Sequence, residues 1–338
     1  MTSETLHSQP SRHALMTGTG LLGAHTARLL LDDGWEVTLL DQAPNLEYLE
    51  RVLGHSRLNS AARVLTGDLA DPGLTGTTLA AVTPDLVVHT AGLIALGAQR
   101  DLTNTLEVNV VAPVRLATWA AAQGARRFIA TSTWGIYDQA YNGPLTEDSP
   151  IAASPQNHYE ASKVGMEFAL RSLARTVGMS IVVARPTTLY GYAPPSAGGP
   201  GTAVVERLVR GAVAGEPVSI LEAAVNGGEL TYAEDAAAIL CAAATAPLPD
   251  SFTTVLAGSG ELTTADTLAA AILAHLPAAE VSIDRTPSDG PRPPRYAHPT
   301  DATRTRQLLN VAPTLGLADG IGRYIDKLRR YESEEARI

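Results

Sequence analysis

Tyr159 and Lys163 lie four residues apart in the run Tyr159-Glu160-Ala161-Ser162-Lys163. On a helix that spacing puts both side chains on one face, where a phenol and an ammonium can act on one point. A free tyrosine, with a pKa of about 10, is too weak a base for neutral pH. A neighbouring cation favours the phenolate and lowers that value. Alone, such a pair is most often an ordinary helix-surface contact. Upstream, however, Thr131-Ser132-Thr133 ends a β-rich run, Arg127–Thr131, and presents hydroxyls at a strand edge, where a substrate oxygen could be held.

A second group suits a phosphate-bearing ligand. The first β-rich run leads into Thr17-Gly18-Thr19-Gly20-Leu21-Leu22-Gly23 and then into a helix-forming stretch. Glycines there allow a tight turn and a close approach of backbone to a pyrophosphate, while the helix N-terminus offers free N–H groups. The motif is weak by itself and gains weight from its place between strand and helix. Asp41 ends the next strand, and a carboxylate there would accept the adenosine ribose hydroxyls and repel the extra phosphate of NADP. No arginine lies in the loop or directly after Asp41, so NAD is the expected cofactor. Asp68, in Thr66-Gly67-Asp68-Leu69, is suited either to facing the adenine or to capping a turn.

These residues require a scaffold. Candidate strands at Ala14–Met16, Glu36–Leu40, Arg63–Leu65, Leu86–His89, Arg127–Thr131 and Ser180–Ala184 alternate with helical segments such as Leu21–Asp32, Val110–Gln123 and Tyr159–Val177. That alternation predicts an α/β fold, a Rossmann-type doubly wound parallel sheet. Residues 13–185 would form the NAD-binding Rossmann domain, and residues 186–338 a smaller C-terminal substrate-binding lobe with discontinuous contributions. That lobe would carry helices near Val204–Ala214, Ala233–Ala246, Ala265–Leu276 and Leu317–Arg330. Residues 1–12 read as a disordered tail without the basic start and apolar stretch of a signal peptide.

Composition narrows the partners. The 338 residues are 45% hydrophobic and 18% charged, with a formal net charge of -10. An acidic chain lacks the electrostatic footprint for nucleic acid or an anionic membrane. No apolar run reaches membrane-spanning length. The one cysteine, Cys241, cannot form an internal disulfide, which suits the cytoplasm, and no His/Cys spacing suggests a metal site.

Taken in order, the motifs resemble the extended short-chain dehydrogenases, also called the NAD-dependent epimerase/dehydratase family. The resemblance spans nearly the whole chain. It rests further on His89-Thr90-Ala91-Gly92, Asn109, Tyr137 four residues after Thr133, and Arg185-Pro186-Thr187-Thr188-Leu189-Tyr190-Gly191. Tyr232-Ala233-Glu234-Asp235 and Asp301-Ala302-Thr303-Arg304 complete it. The resemblance implies Tyr159 as acid/base, Lys163 as the nicotinamide-ribose ligand that depresses the tyrosine pKa, and Thr133 as the hydroxyl that orients the substrate oxygen, with Ser132 as alternate. Asn109 would support the site through its helix backbone and a water. It further implies that NAD contacts Gly18, Gly20, Leu21, Leu22 and Gly23, then Asp41, Asp68 and Leu69. Thr90, Ala91, Gly92, Asn109 and Thr131 would follow, then Tyr159, Lys163, Arg185, Pro186 and Thr188. Substrate would meet Thr133, Trp134, Tyr159 and Thr188, with Arg292 and Arg295 available to a carboxylate or phosphate.

Three departures from the family pattern bear on function. The glycine loop is one residue shorter than the usual Gly-x-x-Gly-x-x-Gly. Trp134 stands where dehydratases and decarboxylases of the family carry an acid. Thr188 and Gly228 replace the asparagine and arginine with which nucleotide-sugar enzymes hold a diphosphate. The expectation is therefore an NAD-dependent oxidoreductase acting on a secondary hydroxyl or ketone of a sugar, sugar acid or small polyol. A sugar epimerase using the same residues is the alternative. A non-catalytic NAD sensor is disfavoured, having no need of Tyr159, Lys163 and Thr133. Val110–Gln123 and Tyr159–Val177 could pair across a homodimer, as the family implies.

Overall fold

The structure, a computed structural model, describes residues 12–194, 199–287 and 296–335. Arg292, Arg295 and all of the expected tail but Arg12 lie outside them. Arg12 is tied down: its guanidinium donates to the Asp33 carbonyl at 2.6 Å and sits 4.7 Å from the centroid of Trp35.

Twelve strands run in chain order. They are β1 (His13–Thr17), β2 (Glu36–Asp41), β3 (Ala62–Thr66), β4 (Leu86–His89), β5 (Arg127–Thr131), β6 (Ser180–Pro186), β7 (Thr188–Tyr190), β8 (Val218–Leu221), β9 (Gly228–Tyr232), β10 (Phe252–Ala257), β11 (Leu262–Thr263) and β12 (Val281–Asp284). Seven form one sheet in the order β10-β6-β5-β4-β1-β2-β3. All its pairings are parallel. Strands covered on both faces need apolar side chains throughout, as Leu86-Val87-Val88 of β4 illustrates. Alternation then sends them to opposite layers: Ala14 and Met16 join one core, Leu15 the other. This is a Rossmann-type sheet. Its order reverses between β4 and β1, which opens a crevice at the carboxyl ends, the usual ligand position in such folds.

The seventh strand, β10, comes from far beyond residue 185 and pairs with β6 from Phe252↔Ile181 to Ala257↔Pro186. The Ala233–Thr245 helix likewise packs on the Leu21–Asp32 helix. Both belong to the layers of the large sheet, although the sequence reading put the helix in the second lobe. The rest of the C-terminal half carries a β11-β9-β7 sheet, a β12-β8 pair, and the helices Pro200–Val213, Ala265–His275 and Leu317–Glu335. The expected Val110–Gln123 helix is broken into a π-helical turn, Glu107–Val111, and the helix Ala112–Ala122. No described helix is long and apolar enough to cross a membrane.

Candidate active site

The glycine loop packs closely against the end of β4, with no room for side chains at Gly18 or Gly23. Gly18 has φ +87°, and a Cβ on it would lie 2.5 Å from the Ala91 nitrogen. A Cβ on Gly23 would lie 1.9 Å from the Gly18 carbonyl oxygen and 2.7 Å from the Thr90 hydroxyl. Thr90 closes the turn by donating its hydroxyl to the Thr17 and Gly18 carbonyls, both at 3.0 Å. The Leu21–Asp32 helix begins at exposed Gly20 without a side-chain cap. The N–H groups of its first turn, including those of Leu21 and Leu22, have no acceptor within the helix. Asp41 sits at the mouth of this turn. Its Oδ2 accepts the Thr19 N–H at 2.7 Å and hydroxyl at 2.9 Å, and its Oδ1 accepts the Ala43 N–H at 3.0 Å. A carboxylate so fixed keeps one lone pair, on Oδ1, for a ribose hydroxyl. Cradle, uncapped helix start and oriented carboxylate fit a dinucleotide, despite the shortened loop.

Asp68 takes the turn-capping option: Oδ1 accepts the Ala70 N–H at 2.9 Å, and Oδ2 accepts from Gln42 at 3.1 Å. The Leu69 carbonyl accepts from Arg115 at 2.7 Å.

The residues expected to handle the proton converge at the carboxyl ends of β4 and β5. Asn157 caps the His158–Leu173 helix by accepting the Glu160 N–H at 2.9 Å, which fixes where Tyr159 and Lys163 emerge. Lys163 is buried; its Nζ lies 5.7 Å from the Tyr159 ring centroid and donates to the Thr131 carbonyl at 2.8 Å. Thr133 caps a short 3₁₀ turn, Trp134–Ile136, its Oγ1 accepting the Gly135 N–H at 3.1 Å. The Thr133 hydroxyl lies near enough to the half-buried Tyr159 phenol to favour its anion. Ser132 is buried, with no partner for its Oγ among the described residues, so Thr133 is the hydroxyl beside the phenol.

Asn109, on the π-helical turn, braces the far wall. Its Oδ1 accepts the Leu93 N–H at 2.8 Å, and its Nδ2 donates to the Leu93 carbonyl and to Ser162 Oγ, both at 2.9 Å. A π turn adds one residue per turn and re-aims a side chain, a device common at functional sites. A Cβ on Gly92 would lie 3.0 Å from Asn109 Oδ1 and 3.5 Å from Lys163 Nζ, so this glycine leaves the two polar groups their room.

Electrostatics depart from the sequence expectation. Burial pushes Tyr159 up to about 12, with the Thr133 hydroxyl pulling down and Glu160 pushing up. Lys163 directs its charge at the Thr131 carbonyl, and burial lowers its own pKa to about 8, against an upward pull from Glu167. Desolvation of the phenol therefore outweighs the depression expected from Lys163.

Other expected contacts are redirected. Arg185 is buried, and its guanidinium is committed to Glu167, Tyr137 and the Glu147 carbonyl. That correction leaves only the main chain of Arg185 and Pro186 for a cofactor at the end of β6. Trp134 is 2% exposed and packs on Tyr296 with ring centroids 4.8 Å apart, so it walls the site from behind. Thr188, half-buried on β7, abuts Gly201 in the first turn of the Pro200–Val213 helix. Gly228 opens β9, with buried Glu229 beside it accepting from Gly260 and Thr300.

The motif reading assigned no role to Glu167 or His89. Glu167 lies one helical turn past Lys163, which was a usable signal. His89 is held neutral by burial, down to about 3, with Nδ1 2.6 Å from Thr17 Oγ1. Nothing in its spacing foretold that contact.

Residues 14–254 match the family described as "NAD dependent epimerase/dehydratase family". A UDP-glucose 4-epimerase of Mycolicibacterium smegmatis is 29% identical over 93% of this chain and 98% of its own. UDP-glucose 4-epimerase 2 of rice (Oryza sativa subsp. japonica) is 32% identical, over 49% of this chain and 41% of that protein. Among solved structures, the UDP-glucose 4-epimerase of Thermotoga maritima with UDP-glucose superposes with a TM-score of 0.78. It is 21% identical and covers 94% of this chain and 99% of that one, a likeness of fold.

Proposed function

The chain belongs to the NAD-dependent epimerase/dehydratase family, and on that footing we propose that it is an NAD-dependent epimerase of a nucleotide-linked sugar. The observation that carries this is the convergence of Tyr159, Lys163 and the Thr133 hydroxyl beside a dinucleotide cradle. Epimerisation displaces net dehydrogenation, the first expectation from sequence, because a relative matched over 93% of this chain and 98% of its own is named a UDP-glucose 4-epimerase. Trp134 in place of an acid argues against a dehydratase of the same family, since water loss needs a proton donor there.

NAD, when bound, supplies a hydride acceptor that can return the hydride to the sugar. Tyr159 takes the proton of the sugar hydroxyl and gives it back after the sugar has turned its other face. Thr133 holds the same oxygen in line. Lys163 holds the nicotinamide ribose and keeps a cation near the phenol. Asp41 selects the unphosphorylated ribose of NAD. Thr188 and Gly228 lack the usual diphosphate ligands, but the Pro200–Val213 helix starts against Thr188 without a side-chain cap. The N–H groups of Gly201 and Thr202 in its first turn have no acceptor within the helix.

The exposed side chains of Leu102, Leu106, Val111 and Phe168 lie on the adjoining segments Leu102–Val111 and His158–Leu173. They support a homodimer through this face. The lone, half-buried cysteine suits a reducing compartment, the cytoplasm.

The test is incubation with NAD and, separately, UDP-glucose, UDP-galactose, UDP-glucuronate and the free sugars. Isomer formation without net NADH is expected with a UDP-sugar. Stoichiometric NADH with no isomer would restore the dehydrogenase reading.

A further inference from the structure

Arg185, next to last in β6, is one of the largest fully buried side chains among the described residues. Its Nε donates to Glu167 Oε1 at 2.9 Å and its Nη2 to Glu167 Oε2 at 2.6 Å, a bidentate pair. Its Nη1 donates to Tyr137 Oη and to the Glu147 carbonyl, both at 2.9 Å. The guanidinium carbon also lies 5.0 Å from the Tyr137 ring centroid.

The partners belong to the two elements that must meet in the active site. Glu167 is on the His158–Leu173 helix, one turn beyond Lys163 and two beyond Tyr159. Tyr137 closes the 3₁₀ turn that Thr133 opens. The Thr133 hydroxyl accepts from Gly135 within that turn, so its direction follows the turn as a body. The outer side of the turn is pinned by Tyr296, whose hydroxyl reaches the Trp134 carbonyl at 2.9 Å and the Tyr137 carbonyl at 3.2 Å. Arg185 bonds both turn and helix. A buried ion pair of this kind is a poor source of net stability and is better suited to fixing one arrangement.

We propose that Arg185 is a positioning residue, setting the Thr133 turn against the Tyr159 helix by gripping Tyr137 and Glu167; this rests on Thr133 and Tyr159 being the pair that handles the substrate oxygen. Misplacement of about 1 Å at such a pair costs up to roughly a hundredfold in rate. The substitution of choice is Tyr137→Phe, which removes one hydroxyl and leaves Arg185 its bonds to Glu167 and Glu147. With UDP-galactose as substrate, it is expected to lower kcat about tenfold while KM and NAD affinity hold. In a Thr133→Val background the same change is expected to add nothing, because the group it positions has gone. Arg185→Lys keeps the charge but cannot grip both partners, and is expected to match Tyr137→Phe.

Full activity of Tyr137→Phe, or losses that multiply in the double variant, would overturn the proposal. An Arg185→Lys enzyme as active as wild type would reduce the residue to charge balance and overturn it equally. Should Thr133→Val itself stay active, the Thr133 assignment fails and Arg185 has nothing to position. Should the wild type not turn over UDP-galactose, the substrate reading fails separately, and amide exchange decides the clamp. The Gly135 N–H in Tyr137→Phe is then expected to exchange at least tenfold faster than in wild type, and unchanged exchange would refute the clamp.

Discussion

The Lys163 ammonium donates to the Thr131 carbonyl at 2.8 Å, tying the helix that carries Tyr159 to the strand edge that leads into Thr133. That contact holds the charge of Lys163, while burial raises Tyr159 and lowers Lys163 and so sets the pH behaviour of the site.

Tyr159 is raised to about 12 by burial. Its folded pKa thus exceeds the unfolded value, and between about pH 10 and 12 the folded chain keeps a proton that the unfolded chain has lost. The contribution of this group to stability therefore falls as pH rises through that window. Without NAD, a difference absorbance titration of wild type minus Tyr159→Phe is expected to show no phenolate below about pH 11. A midpoint under 10 would contradict this. Added NAD, whose nicotinamide ring is positive, is expected to lower the midpoint.

Asp41 both orients the glycine loop through Thr19 and faces the expected adenosine ribose. Hydrogen bonds to a charged group are worth about 1.5–3 kcal/mol. Asp41→Ala is therefore expected to weaken NAD binding by roughly ten- to a hundredfold and to bring NADP within reach of it. Calorimetry with both dinucleotides measures this, and an unchanged NAD to NADP ratio would remove Asp41 from the cofactor site.

Gly23→Ala would place a methyl 1.9 Å from the Gly18 carbonyl oxygen, which is backbone and cannot swing aside. The loop must open, at about 1–3 kcal/mol of stability. Thermal unfolding is expected to show a lower Tm, with NAD raising it far less than in wild type. A variant with wild-type Tm and NAD affinity would mean that the loop is not the cradle described above.

Much of this site is legible from local periodicity. Tyr159 and Lys163 share a face because helices repeat every 3.6 residues, and Gly18 and Gly23 bracket a strand-to-helix turn. What the chain does not display locally is whom a buried side chain meets. Arg185 sits in a motif whose resemblance suggests a cofactor ligand, yet its partners Glu167 and Tyr137 lie 18 and 48 residues away and meet it only in the folded sheet. β10 is similar: an apolar run at Phe252–Ala257 does not announce that its neighbour is β6. The π-helical turn at Glu107–Val111 has no composition of its own, and from it Asn109 reaches Leu93 and Ser162 at once.

The most direct test of the epimerase reading is the fate of the label in UDP-galactose deuterated at the sugar C4, incubated with NAD-loaded enzyme. Hydride that leaves and returns on one bound cofactor is expected to keep deuterium at C4 of the isomerised UDP-glucose, with no net NADH. Tyr159→Phe is expected to slow that conversion by about two to four powers of ten while NAD still binds. Deuterium washed out to solvent, or NADH accumulating without the isomer, would contradict the account.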